Sequence, residues 1–180
     1  MRATEVRPTG VERTFGQNEL IVSKTDPRGV ITYANDVFLR VSALAESEAL
    51  GRPHNLIRHP DMPRAVFQLL WDTLKDGEEI FAYVLNLAAD GAHYWVFAHI
   101  TPSHDASGRL IGYHSNRRSP SAPSVAAVSA VYERIRAEER RHSHTPDAVA
   151  AGAATLQQML AERGQTYDEL VWALTDGGSR

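Results

Sequence analysis

Between Ile80 and Arg117 three strand-like runs follow one another, each divided from the next by a turn, and this succession limits the fold more than any other feature. Ile80 to Leu87 (IFAYVLNL) breaks at Ala88-Ala89-Asp90-Gly91. His93 to Pro102 (HYWVFAHITP) is followed by a turn at Asp105 to Arg109, and Leu110 to Arg117 (LIGYHSNR) closes the set. An Asp-Gly pair inside a strand–loop–strand pattern predicts a tight hairpin, because both residues tolerate positive φ.

The earlier half supplies a second hairpin and several helices. Glu19 to Ser23 and Val30 to Ala34 are short strands around Asp26-Pro27-Arg28-Gly29, a Pro/Gly turn. Asn35 and Asp36 offer N-cap chemistry for a helix from Val37 to Val41. Glu46 to Leu50 reads as one turn closed by Gly51, and Pro53 to Pro63 as a short helical turn with loops. Ala65, Val66, Leu69, Leu70 and Leu74 recur at helical spacing, ending at Lys75-Asp76-Gly77. Two strands, short helices, one longer helix and three strands make an α+β domain. Its expected form is a five-stranded antiparallel sheet with helices gathered on one face.

Residues 1–18 read as a flexible polar lead-in, 19–118 as the domain and 119–123 (SPSAP) as a linker. The remainder, 124–176, reads as a C-terminal helical extension with helices at 124–141, 147–163 and 167–174, the last opened by a capping box. Val125, Val128, Val131, Tyr132 and Ile135 form an apolar stripe that needs burial. The extension is too small to be stable alone, which points to docking within a homodimer; a cap over the chain's own sheet is the other reading.

Composition removes several function classes. With no cysteine among 180 residues there are no disulfides, thiolate metal sites, iron–sulfur ligation or cysteinyl–flavin photochemistry. A formal charge of −3 gives no electrostatic case for nucleic acid. No apolar run approaches the ~20 residues of a membrane span, and Met1 to Pro8 lacks the apolar stretch of a secretory signal. A cytoplasmic address follows. There is no HExxH, P-loop or GxSxG pattern, so no enzyme activity is expected.

Ile31-Thr32-Tyr33-Ala34-Asn35-Asp36, Gly51 to Pro63 (GRPHNLIRHPDMP), Phe67, Trp71 and His93-Tyr94-Trp95-Val96 carry a resemblance. From about Leu20 to Arg118 the chain resembles the PAS domain of bacterial aerotaxis receptors. In that family the domain binds FAD noncovalently and reports redox state in chemotaxis. The resemblance implies a PAS fold, a flavin, and signalling to a downstream protein. It also implies Arg58, His59 and Asp61 as flavin contacts, with Asn35 and Asn86 as further candidates. The chain departs from the family at Ile80, where a tryptophan is common, and at Leu87-Ala88-Ala89, commonly basic.

The residues themselves fit such a ligand. Arg58 suits a planar fork onto phosphate or carboxylate, and His54, His59 and Asp61 add polar groups beside it; a solvated Arg58–Asp61 pair on a surface loop is the bland reading. Trp71 offers a ring to stack on isoalloxazine or to fill the core. The Asn86 amide can donate or accept at a flavin N5 or carbonyl, or face water. Two further readings stay open: a haem b sensor of oxygen with His54 or His59 as axial ligand, and a cofactor-free dimerisation or adaptor module.

Overall fold

A computed structural model of the chain describes residues 6–176. Residues 1–5, the start of the polar lead-in, and 177–180 lie outside the described residues. Strand β1 (Ile21–Thr25) turns into β2 (Ile31–Ala34). In that turn Asp26 Oδ1 accepts from the backbone N–H groups of Arg28 (2.8 Å) and Val30 (3.0 Å). Helix α1 (Asp36–Ser42) and the single-turn α2 (Glu46–Ala49) follow, then a 3₁₀ turn at His54–Ile57 and helix α3 (Arg64–Lys75).

Strands β3 (Ile80–Leu87), β4 (His93–His104) and β5 (Leu110–Arg118) complete the sheet. Its order is β2-β1-β5-β4-β3, antiparallel throughout, the α+β arrangement expected from the sequence. Strand β4 continues through Pro102, which pairs with Tyr113. This proline is tolerated because β3 pairs only as far as Ile100, so one side of β4 is open there.

Alternation divides the sheet into two faces. Val84, Val96, Ala98, Tyr113 and Ser23 point toward α3, while Phe81, Trp95 and Phe97 point the other way. The second face is covered by two of the chain's own C-terminal helices, α4 (Ala122–Glu139) and α6 (Tyr167–Asp176), while α5 (Thr145–Arg163) packs on α4 and α3. Trp172 of α6 packs on Phe81 and Phe97 with ring centroids 4.9 and 5.9 Å apart. The Tyr132 hydroxyl of α4 donates to the Tyr83 carbonyl at 2.6 Å.

Three sequence expectations change here. The linker is shorter than 119–123, because Ser121 caps α4 by accepting from Ser124 N at 3.2 Å and Pro123 sits in the first turn. The extension, expected either to dock within a homodimer or to cap the chain's own sheet, buries its stripe of Val128, Val131, Tyr132 and Ile135 within this chain. The lead-in read as flexible is pinned in part. His93 N donates to Val11 O (2.9 Å) and Arg13 N to His93 O (2.7 Å), extending the sheet where β5 stops pairing with β4, and Phe15 is buried.

Candidate ligand-binding site

Between α3 and the inner sheet face lies a cavity of about 250 Å³, just below the ~300–1,000 Å³ typical of ligand pockets. One wall is the Phe67–Leu70–Trp71 face of α3, and the opposite wall is Val84, Ala98 and Ile100. Trp71 meets Tyr113 edge to face at 5.5 Å. Gly29 leaves room for that indole: a Cβ there would come within 3.2 Å of it, at a φ of +79°. The result is a largely apolar slot bordered by the Phe67, Trp71 and Tyr113 rings.

Polar groups are set into one side of this slot. Thr25 Oγ1, Ser115 Oγ and Arg117 Nη1 are buried without a hydrogen-bond partner among the described residues, and all three residues line the cavity. They come from facing positions of β1 and β5, where Ser23 pairs with Ser115 and Thr25 with Tyr113. Buried polar atoms are nearly always satisfied, so three such atoms on one wall form a set able to bond a ligand. Arg117 Nη2 donates to Ser23 Oγ (2.5 Å) and to His54 Nε2 (2.8 Å). That bond makes Nε2 an acceptor and assigns His54 the neutral, Nδ1-protonated tautomer. Burial, reinforced by the Arg117 charge, pushes the His54 imidazole down to about 3.

Four of the seven residues nominated from the sequence are brought together here. His54, Arg58, Trp71 and Asn86 all line the cavity. Arg58 lies with its guanidinium 4.1 Å from the Phe67 ring centroid and its backbone bridged to Asn86. The other three are spent elsewhere. Asn35 caps α1: its Oδ1 accepts from Val22 N (3.0 Å) and Phe38 N (2.9 Å), and its Nδ2 donates to Leu20 O (2.8 Å). His59 is buried against His93, and its Nδ1 accepts from Asp61 N at 3.0 Å. Asp61 is half-exposed and pairs with Arg136 of α4. The sequence reading missed Ser23, Thr25, Ser115 and Arg117. Their signal is the period-2 set Tyr113, Ser115, Arg117, which puts polar groups on a strand face where core residues are expected.

The tail is tied to the cavity wall. Glu139, at the end of α4, is buried, and its carboxylate accepts from the first backbone N–H groups of α3, Arg64 (3.1 Å) and Ala65 (2.8 Å). It neutralises orphan donors and the positive end of the α3 dipole. Gly152 of α5 closes over it so tightly that a Cβ would lie 2.6 Å from Glu139 Oε1.

With this geometry in view, comparison with known proteins is direct. The family described as the PAS fold matches residues 31–116. The chain carries a PAS domain. It is 42% identical over 117 residues to the aerotaxis receptor of Escherichia coli K12, covering 65% of this chain and 23% of the receptor. It is 32% identical over 102 residues to a nitrogen fixation regulatory protein of Klebsiella pneumoniae, covering 57% of this chain and 21% of that protein. The chain thus spans under a quarter of the length of these two relatives. Among solved structures, a light-oxygen-voltage domain studied with a flavin analogue matches with a TM-score of 0.55 at 25% identity, over 64% of this chain and 86% of that one. The dark-state Aureochrome1 light-oxygen-voltage domain matches at 0.54 and 23% identity over the same shares, a likeness of fold. This PAS domain is therefore related to sensor modules of signalling proteins.

Proposed function

We propose that this PAS domain binds a flavin noncovalently, FAD by its resemblance to aerotaxis receptors, and reports redox state or oxygen to a signalling partner by contact. The observation that carries the reading is the row of unsatisfied Thr25, Ser115 and Arg117 atoms on one wall of an aromatic slot. A flavin ring has apolar faces and a pyrimidine edge rich in acceptors, which suits the apolar lining and the donors of this wall. Arg28 and Arg58 at the cavity rim supply cations for a diphosphate. When bound, a flavin supplies proton-coupled electron transfer; the protein supplies packing, orientation and electrostatics.

The haem reading loses its ligands. His54 Nε2 already accepts from a guanidinium, and His59 lies off the cavity. The route for a signal runs along β3. Asn86 faces the slot, its neighbour Leu85 donates its N–H to Met62 Sδ, and Tyr83 O holds α4 through Tyr132. A change in what Asn86 bonds is thereby felt on the edge to which the tail is fastened, biasing docked against released helices. Among the described residues no helix is long and apolar enough to cross a membrane.

The test is the visible spectrum of the purified chain after FAD is added and excess removed. Flavin bands at stoichiometric intensity, with a raised melting temperature, are expected. A Soret band, or a colourless protein whose melting ignores FAD, overturns the reading.

A further inference from the structure

Arg117 carries a charge that the fold leaves uncompensated. It is 4% exposed, and burial lowers its guanidinium only to about 10, so it stays charged at neutral pH. Its surroundings are Ser23 Oγ, the neutral His54 imidazole, the Phe38 ring at 5.6 Å and Tyr94, and no carboxylate among the described residues forms an ion pair with it. Nη1 of this cavity-lining residue has no hydrogen-bond partner among the described residues. A buried cation without a counter-charge is costly, and this one borders the slot.

We propose that Arg117 is the counter-charge for an electron-rich edge of the ligand, so that the cavity binds the reduced, anionic flavin more tightly than the neutral oxidised one. This rests on the flavin reading above. Two electrons from a reductant and one proton from solvent convert the neutral oxidised ring into the reduced anion; the proton is taken at N5, and one negative charge remains on the pyrimidine side of the ring. Arg117 Nη1 meets that charge with a charge-assisted hydrogen bond, and the Thr25 and Ser115 hydroxyls add neutral donors. Arg117 is thus a residue that sets the potential of the site, raising it relative to the same cavity without the guanidinium.

The experiment loads the full chain with FAD and titrates it with dithionite against a reference dye, in wild type, Arg117→Met, Arg117→Gln and Arg117→Lys. Loss of the charge is expected to cost about tenfold in preference for the reduced form, a fall of about 30 mV for a two-electron couple, with Arg117→Lys retaining most of the wild-type potential. The FAD-free Arg117→Met chain is expected to melt about 2–4 °C above FAD-free wild type, because an uncompensated charge has been removed. Neutral variants that bind FAD at an unchanged potential overturn this inference and leave the flavin reading standing. Wild type that takes up no FAD overturns both. Neutral variants that melt well below FAD-free wild type make Arg117 a structural brace, and overturn the inference as well.

Discussion

At Gly112 the β5 backbone comes so near β1 that an added Cβ would sit 1.9 Å from the Thr25 carbonyl oxygen. Backbone cannot yield as a side-chain tip can, so Gly112→Ala should cost about 3 kcal/mol, read as a lowered urea midpoint. A variant within experimental error of wild type would show that β1 and β5 can separate. His54 makes the second prediction at this scale. Its folded value of about 3 lies below the ordinary 6.5. Between these values the unfolded chain binds a proton that the folded chain refuses, so stability falls as pH falls through that window and is level above it. The slope approaches ~1.4 kcal/mol per pH unit for one such histidine, and His59 is shifted the same way by burial. Denaturant midpoints between pH 7 and 4 should show the decline, and His54→Gln should flatten it; an unchanged slope in that variant would assign the acid sensitivity to other groups.

Among elements, the bond between α4 and α3 is the one to break. Glu139→Gln leaves one acceptor oxygen for two buried N–H groups, at a cost of about 1–3 kcal/mol. Amide hydrogen exchange should quicken in the first turn of α3 and in α4 together; protection lost in α4 alone would mean that the two helices are not coupled. The same contact shows why some of the molecule was legible in sequence and some was not. Strands and turns announced themselves locally, because Asp26 and Asp105 act on backbone within four residues of themselves, as Asn35 does in capping α1. The Glu139 carboxylate acts on Arg64 across 75 positions, and no spacing rule reaches that far. The site divides similarly. Arg58 and Trp71 stood in a segment rich in chemistry, whereas Arg117 looked like the polar end of a strand until β1 and β5 paired. Asn35 and Asp61 had the right chemistry for a ligand, but backbone and Arg136 had already claimed it.

For the whole molecule, the decisive feature is that α4 and α6 cover a sheet face that would otherwise be open. A chain ending at residue 118 would expose Phe81, Tyr83, Trp95 and Phe97 as one contiguous apolar patch, together with the unprotected edge of β3. Such a truncation should self-associate in light scattering and bind a hydrophobic dye, while the full chain should do neither as strongly; a dye-silent monomeric truncation would make the tail dispensable. The aromatic contacts have one more consequence. Of the three tryptophans, Trp71 borders the slot and Trp172 holds α6 to the sheet while 43% exposed. Ligand uptake should therefore quench Trp71, while tail release should red-shift Trp172 and the Trp95 that packs on Tyr132, giving the unlabelled chain intrinsic fluorophores for its input and for its output.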